Sequence, residues 1–468
     1  QAPLLSLPPL HAPPCGPLCS LSREKCGDMA SERVSLLDGT LVWAPESGGS
    51  PAGSPGSAFP ALDLTQRAVY RVPHYAPAAF GKTFGPLSLP ALLIFCRELD
   101  ASLSKQEGGK QLVLTTPRGD SEYRANAATL LGAFLVVRHD WTPGQVEAAL
   151  NREAAARFPR SWSTVAEPAD KWVLTVRDCW EGVAMARDLS IVTAKMVQDD
   201  EQVQAACANY KHQVDRYDSS WIIPGVLMVG ADPVTVIYDP NPATCSTLLP
   251  DGGSTDVGDE PVNEIDSSEE WEQASTDTVC KDYNHYEPRG SLCSAMVSLG
   301  DLDYVSFLRE SGVGMVLRAN FDLEKGMPTK SYSDKTFEPY GISHTNIRVV
   351  DEQGGLPARR DFAKSIEAAA DYWEQNPQGA VFVHCKGGFG RSVMFACCIA
   401  MERFDVSGRA LLGWVRIARP GAFTTRRQEV FLAGLKGRED VRRAAGLRAD
   451  CKEVEAKAAA SCTGCAVQ

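Results

Sequence analysis

The stretch AVFVHCKGGFGRSVMFACCIAM, residues 380–401, decides the fold of this chain. Ala380–His384 has the pattern of a buried strand, and Arg391–Met401 has that of a buried helix. A short loop with three glycines joins them, so the stretch predicts a strand–loop–helix unit of an α/β fold. Such a loop lets successive backbone N–H groups point at one anion, and the start of the helix adds partial positive charge.

The residues of this loop indicate phosphoryl-transfer chemistry. Cys385 supplies a nucleophile whose thiolate form the loop and the helix terminus favour. Arg391, six residues later, offers a planar guanidinium that suits two phosphate oxygens. Ser392 is expected to hydrogen-bond the thiolate or help it leave, and His384 to hold the loop. The residues expected to contact the substrate are Lys386, Gly387, Gly388, Phe389, Gly390 and Arg391. The spacing is the C-x5-R signature, which requires no metal and no cofactor.

This chemistry needs a general acid that protonates the leaving oxygen. The sequence predicts a strand over Asn346–Val350 that ends at Asp351, and Gly354 and Gly355 follow as hinge residues. Asp351 is therefore the predicted acid, and Glu352 is the competing carboxylate. The alternative for Asp351 is an ordinary solvated loop acid.

Gln428, in RPGAFTTRRQEVFL, is a second candidate. It is suited to orient the water that completes hydrolysis, and the equally weighted alternative is a glutamine on a helix surface.

Charge and composition exclude several classes of protein. The chain has 468 residues and a net charge of −12, and nine of the negative charges lie in residues 251–275, which hold no Lys or Arg. This argues against nucleic-acid binding through bulk charge. No apolar run reaches the roughly 18 residues of a membrane helix.

Fifteen irregularly spaced cysteines favour a reducing, intracellular compartment. Prolines in residues 1–28 argue against a signal peptide and favour disorder or a true start at Met29.

A second strand–loop–helix pattern lies earlier in the chain. Gln111–Thr115 is a predicted strand and Asn126–Arg138 a predicted helix, with a glycine and arginines between them but no cysteine. In the later half, Gly314–Arg318 is a predicted strand and Pro357–Asn376 a predicted amphipathic helix. Two α/β units follow from this alternation, each with a central sheet.

Five further motifs narrow the interpretation. They are FGPLSL (84–89), RANAA (124–128), WIIPG (221–225), VLRAN (316–320) and WVRIARPG (414–421). With the C-x5-R loop, they make the chain from about residue 60 to 435 resemble the dual-specificity phosphatases of the cell-division-cycle-fourteen, or mitotic-exit, family.

The resemblance implies two tandem dual-specificity-phosphatase-like domains in an α/β fold, each a central sheet flanked by helices. Only the second would be catalytic, and the first would help to build the substrate groove. The predicted division is an N-terminal disordered or linker segment (1–59), a non-catalytic domain (60–195), a linker helix (196–220), a catalytic domain (221–435) with an acidic insertion at about 239–282, and a charged, helical C-terminal tail (436–468).

The resemblance also implies the substrates. Phosphoproteins are expected, with phosphoserine followed by proline preferred and a basic residue favoured further along, and phosphotyrosine is also accepted. The implied setting is cell-cycle control in the cytoplasm or nucleus, at centrosome, spindle or cilium. An acidic cluster in the linker would attract the basic residue, the alternative being a solvated helix face; its members are Asp199, Asp200, Glu201, Asp215 and Asp218.

The catalytic loop departs from the family pattern at Phe389, which stands in place of a leucine and is expected to narrow or reshape the mouth of the pocket. Two other functions stay open. One is a catalytically weak module that binds phosphoproteins, which the presence of Cys385, Arg391 and Asp351 disfavours. The other is a phosphoinositide phosphatase, which a loop with Lys386 as its one lysine disfavours.

Overall fold

A computed structural model describes most of both predicted units. The described residues are 33–45, 85–105, 111–116, 121–160, 168–234, 304–324, 327, 330–351 and 356–447. Several predictions lie outside them, namely those for residues 1–32, Phe84, the acidic insertion at 239–282, Glu352, Gly354, Gly355 and the tail beyond residue 447.

The first unit contains a sheet of three strands, β1 (Val34–Leu36), β2 (Leu41–Pro45) and β3 (Leu112–Thr116). β1 runs antiparallel to β2, and β2 runs parallel to β3. The assignment of residues 1–59 to a disordered or linker segment is therefore wrong for residues 34–45. Three residues of β2 are buried, namely Leu41, Val42 and Trp43. This apolar run was not predicted as a strand because it is short and a Pro-, Gly- and Ser-rich stretch follows it.

Within the described ranges, six helices accompany this sheet: α1 (Leu89–Ser104), α2 (Ser121–His139), α3 (Pro143–Ala154), α4 (Val176–Asp188), α5 (Ala194–Gln198) and α6 (Asp200–Tyr217). α2 is buried from Ala125 to Val137, as a central helix requires. Arg124 of the RANAA motif lies over the ring of Trp43 and forms an ion pair with Glu153 of α3 at 2.8 Å. This motif residue therefore joins the sheet to two helices.

The second unit contains a five-stranded sheet in the order β4-β5-β8-β6-β7. The strands are β4 (Ser219–Ile223), β5 (Leu227–Ala231), β6 (Val313–Arg318), β7 (Ser343–Asn346) and β8 (Ala380–Cys385). β4 is antiparallel to β5, and the others run parallel. The carboxyl ends of β5, β6, β7 and β8 therefore meet at one edge, which is where ligands bind in such sheets.

The prediction of a strand over Asn346–Val350 is wrong in its position. β7 occupies Ser343–Asn346, and the chain leaves the strand conformation after it. Arg348 has a left-handed backbone (φ 53°), which interrupts regular pairing. The backbone N–H groups of Ile347 and Val349 still bond to the carbonyls of Arg318 and Ala319, so this segment stays beside the end of β6.

Six helices lie in the described residues of this unit: α7 (Tyr304–Glu310), α8 (Arg359–Gln375), α9 (Arg391–Phe404), α10 (Gly408–Ala418), α11 (Arg426–Ala433) and α12 (Arg438–Ala445). α12 begins the predicted tail and is charged and helical, as expected. It is not a detached tail, because Val441 and Ala445 are buried and Arg442 forms an ion pair with Glu402 of α9 at 2.5 Å.

The two units are joined through helices α4 and α10. A side chain at Gly182 of α4 would lie 2.5 Å from the backbone nitrogen of Trp414, and one at Gly413 of α10 would lie 2.0 Å from the carbonyl oxygen of Asp178. The helix backbones therefore touch, and buried residues of both units form one core. None of the helices in the described ranges is long and apolar enough to cross a bilayer.

Candidate active site

Cys385 is the last residue of β8, and the glycine loop after it leads directly into α9. The Cys385 sulfur is buried, accepts a hydrogen bond from the backbone N–H of Gly388 at 3.3 Å and lies 3.4 Å from the hydroxyl oxygen of Ser392. Gly388 has φ 75°, and a Cβ there would lie 2.3 Å from the carbonyl carbon of Gly230. Only glycine fits, so β5 fixes the curvature of the loop.

Arg419, from the WVRIARPG motif, holds the loop from the side opposite the sulfur. Its guanidinium donates to the carbonyl oxygens of Gly388 at 2.7 Å and Gly387 at 3.4 Å. It stacks on the ring of Phe389 at 4.3 Å and forms an ion pair with Asp218 at 2.9 Å. Because these carbonyls face Arg419, the loop is held in the curvature that directs N–H groups toward Cys385.

The position of Phe389 corrects the expectation that it narrows the pocket mouth. Its side chain is 8% exposed and stacks under Arg419, and its carbonyl accepts from the N–H of Phe423. An aromatic ring at this position therefore packs the back of the loop.

Arg391 is the first residue of α9 and is 3% exposed. Its two terminal nitrogens donate to the two carboxylate oxygens of Glu324, both at 2.7 Å. One also donates to the carbonyl of Val349 at 2.7 Å, and the other to Asp351 at 3.2 Å. Burial lowers the pKa of Arg391, but the bonds to Glu324 and the nearby Cys385 and Asp351 outweigh it and raise that pKa above its ordinary value.

These contacts leave a defined part of Arg391 for a ligand. Among the described hydrogen bonds, the Nε–H group of Arg391 donates to no acceptor, and its Nη2 group reaches Asp351 through a longer bond than the bonds to Glu324. A phosphoryl group entering the loop can take the Nε–H and displace Asp351 from Nη2 while Glu324 keeps its hold. Released in this way, Asp351 becomes available to the substrate.

The predicted acid and the loop lysine lie on the same side of the site. The Asp351 side chain is 39% exposed. Burial lowers the pKa of Lys386, and the carboxylates of Asp351 and Glu324 oppose that shift. The site thus combines two basic groups, Arg391 and Lys386, with two carboxylates, Asp351 and Glu324. The two basic groups are suited to bind a phosphoryl dianion.

Buried polar groups support the loop from behind. His384 is fully buried, and its Nε2 lies 2.5 Å from the hydroxyl of Tyr332, which also contacts His344. Burial, with the charge of Arg318, moves the pKa of His384 well below its ordinary value, so the ring is neutral. Asp232, after β5, is buried and accepts from Ser331 at 2.6 Å and Asn320 at 2.8 Å. Burial raises the pKa of Asp232, and those bonds oppose the rise.

Gln428 lies against the end of the loop. It is buried on α11, and a Cβ at Gly390 would lie 3.3 Å from its amide nitrogen. Its amide oxygen accepts from the backbone N–H and the hydroxyl of Thr424. The alternative of a helix-surface glutamine is therefore wrong.

The acidic cluster expected in the linker does not assemble. Asp199 caps the start of α6, Asp200 pairs with Arg97, and Asp215 pairs with Lys211 near the other end of the helix. Asp218 is bound to Arg419. The helix spans Asp200–Tyr217, about 27 Å at 1.5 Å per residue, so the acids at its two ends cannot serve one substrate side chain.

The chain is similar in sequence to known phosphatases. A family model described as "Dual specificity protein phosphatase, N-terminal half" matches residues 69–186. The chain is 22% identical over 344 residues to the mouse (Mus musculus) dual specificity protein phosphatase CDC14A, covering 73% of this chain and 44% of the mouse protein. It is 24% identical over 348 residues to zebrafish (Danio rerio) CDC14AB, with coverages of 73% and 44%. It is 22% identical over 354 residues to the Caenorhabditis elegans tyrosine-protein phosphatase cdc-14, with coverages of 75% and 39%.

The chain is therefore similar in sequence to the CDC14 dual specificity phosphatases. It spans less than half the length of the curated relatives named above. Two of the motifs that carry the resemblance supply buried polar residues of the site. Arg318 and Asn320 come from VLRAN, and Arg419 comes from WVRIARPG.

Three residues of this site were not predicted from the sequence, namely Glu324, Asp232 and Arg419. Glu324 and Asp232 follow β6 and β5, the two strands that flank β8 in the sheet. Strand order was the missing information, because acids after neighbouring strands of one parallel sheet meet at its carboxyl edge. Arg419 lies within the WVRIARPG motif, but the sequence pattern does not indicate which carbonyls it binds. Among the described residues, no three His, Cys, Asp or Glu side chains are grouped to hold a metal ion.

Proposed function

We propose that this chain is a cysteine-dependent protein phosphatase that hydrolyses phosphoserine, phosphothreonine and phosphotyrosine through a cysteinyl-phosphate. One observation carries the proposal. The Cys385 sulfur lies at the base of a loop whose Gly388 N–H points at it, while Arg391 beside it is held in place by two bonds to Glu324. A nucleophile and a pre-positioned guanidinium are the two parts that phosphoryl transfer needs.

In the first step, the Cys385 thiolate attacks the phosphorus atom, so that a sulfur–phosphorus bond forms and the ester phosphorus–oxygen bond breaks. Arg391 and the loop N–H groups bind the equatorial oxygens. Asp351, in its protonated form, gives its proton to the leaving oxygen, which departs as a neutral hydroxyl.

In the second step, water attacks the phosphorus of the cysteinyl-phosphate. Asp351 accepts the proton of this water, and Gln428 beside Gly390 is placed to orient it. The sulfur–phosphorus bond breaks, and the departing thiolate is received by the Ser392 hydroxyl at 3.4 Å and the Gly388 N–H. Inorganic phosphate is released, and Cys385 returns to its first state.

The experiment is turnover of p-nitrophenyl phosphate and of a phosphoserine-proline peptide by the full chain, with and without a chelator. Both substrates are expected to be hydrolysed, with no loss on chelation, and Cys385→Ser is expected to bind the peptide without turning it over. Activity that survives Cys385→Ser, or that disappears with the chelator, contradicts the mechanism.

The finer substrate class is proposed on the family resemblance alone. We propose serine–proline phosphosites as substrates, cell-cycle control as the setting, and the cytoplasm or nucleus as the location. The preference for a downstream basic residue stays a proposal from the resemblance, and Asp218 and Asp215, two of the acids expected to attract that residue, are paired with Arg419 and Lys211. A soluble inositol phosphate offered beside the peptide distinguishes the phosphoinositide alternative, which requires it to be the better substrate.

A further inference from the structure

The described part of the chain exposes five large apolar side chains to a substantial degree, and three of them stand on segments beside Arg391. Leu323 is 64% exposed, Val350 is 55% exposed and Phe321 is 37% exposed. The other two, Tyr340 and Val430, lie on other elements. These three residues stand on two segments that both bond to Arg391, through Glu324 on one and through Val349 and Asp351 on the other. We call Phe321, Leu323 and Val350 the apolar lip.

The apolar lip borders the phosphate-binding arginine. Leu323 directly precedes Glu324, which holds both terminal nitrogens of Arg391. Val350 stands between Val349, whose carbonyl binds Arg391, and Asp351, whose carboxylate binds it from the same segment. The two segments run side by side, since the N–H of Val349 donates to the carbonyl of Ala319.

The lip is fixed from beneath by ion pairs. Asp322 accepts from Arg318 at 3.1 Å and from Arg348 at 3.0 Å. The Glu324 carboxylate accepts from the backbone N–H of Phe321 at 2.9 Å as well as from Arg391. Asp322 and Glu324 thus turn inward and form these bonds, while Phe321 and Leu323 turn outward. An apolar surface that is ordered before binding loses little conformational freedom on contact.

We infer that the apolar lip receives an apolar side chain of the substrate polypeptide, within two residues of the phosphorylated one. The inference rests on the proposed function, since it places the phosphoryl group on Arg391. An extended chain advances about 3.3 Å per residue, so the nearest neighbours of the phosphoresidue are the ones that reach this rim. Exposed apolar side chains grouped beside a polar site are typical of a contact surface. The lip therefore selects among substrates that the phosphate-binding loop alone does not distinguish.

The test measures kcat/KM for a phosphoserine peptide with serine at the two positions on either side, and for four peptides that each carry one leucine at −2, −1, +1 or +2. We expect leucine at one or two of these positions to raise kcat/KM about five-fold, the worth of burying roughly half of such a side chain. In the double variant Leu323→Ser/Val350→Ser the preference should disappear, while the rate on p-nitrophenyl phosphate, which is too small to reach the lip, stays within about two-fold.

Tyr340→Ser is the matched control, because it removes an exposed apolar side chain from the opposite end of β7 and should leave the leucine preference intact. Equal kcat/KM for all five peptides, or a preference that survives in the double variant, would overturn the inference. If p-nitrophenyl phosphate is not hydrolysed by the unaltered chain, the proposed function fails instead. The lip is then tested by the dissociation constants of the five peptides. Leucine should still lower the dissociation constant for the unaltered chain and should not lower it for the double variant.

Discussion

The two carboxylate oxygens of Glu324 accept parallel hydrogen bonds of 2.7 Å from the two terminal nitrogens of Arg391, inside a site where the arginine is almost fully buried. A buried guanidinium needs such a partner, because an unpaired buried charge is strongly destabilising. The pair also sets the plane of the guanidinium. Its Nε–H and one Nη2 hydrogen are thereby placed toward the loop before a phosphoryl group arrives.

Glu324→Gln tests this relationship. The amide keeps the size of the side chain but puts an N–H where Arg391 needs an acceptor, so the guanidinium loses its fixed plane. We expect kcat/KM for p-nitrophenyl phosphate to fall about 10- to 100-fold, the scale of a misplacement of about 1 Å. Glu338→Gln, on the opposite side of β7, is the control and should retain full activity. Equal activity in the two variants would show that Arg391 is positioned without Glu324.

Asp351→Asn separates the acid from the rest of the site. Because an amide cannot give up a proton, kcat for a phosphoserine peptide should fall about 10²- to 10⁴-fold. The loss should be much smaller for p-nitrophenyl phosphate, whose leaving group departs without protonation. If Glu352→Gln shows this substrate dependence and Asp351→Asn does not, Glu352 is the acid.

Arg419→Lys tests the support of the loop carbonyls. A lysine keeps the charge beside Asp218 but cannot bond two carbonyls and stack on Phe389 together. We expect about a ten-fold weaker inhibition by inorganic phosphate and a matching rise in KM, the scale of one lost charged hydrogen bond. Asp218→Asn weakens the ion pair without removing the bonds to Gly387 and Gly388, and should affect KM less. A thermal melt of each variant identifies simple loss of folding, and an unchanged KM in a folded Arg419→Lys variant would contradict the role.

The partly buried His344 predicts how the free energy of unfolding depends on pH. Burial, with the charge of Arg318, lowers the pKa of His344 from 6.5 to about 4, so the folded state stays neutral where the unfolded chain takes up a proton. This group therefore leaves the free energy of unfolding unchanged above pH 6.5 and lowers it as the pH falls below 6.5. Between pH 7.5 and 5.5 the loss is about 1.4 kcal/mol for one histidine. We expect the free energy of unfolding, measured in urea at the two pH values, to fall by about 1.4 kcal/mol less in His344→Gln than in the unaltered chain. An identical pH dependence in both proteins would contradict a neutral, partly buried His344.

The sequence predicted the strand, loop and helix around Cys385 because the pattern is local. Apolar runs identify β8 and α9, and three glycines within four residues identify the turn between them. It missed β2, whose partner β3 lies far along the chain. It shifted β7, because the left-handed backbone of Arg348 is stabilised by ion pairs with Asp322 and Asp334, which are tertiary contacts.

The same distinction applies to the site. Cys385, Arg391 and Ser392 are fixed within one continuous segment, so their spacing alone brings them together. Glu324 and Asp232 reach the loop because β6 and β5 flank β8, and that order depends on packing of the whole sheet. The acidic residues of the linker show the reverse case, since acids close in the sequence are separated by the length of α6 and engaged by other partners.

The central claim is that a phosphoryl group passes through the sulfur of Cys385. The most direct measurement is mass spectrometry of the full chain, quenched during turnover of p-nitrophenyl phosphate and digested to peptides. The account predicts a phosphoryl group on the peptide that contains Cys385, located on that residue, and none in Cys385→Ser treated in the same way. Steady turnover with no phosphorylated enzyme, or with the phosphoryl group on another residue, would contradict it.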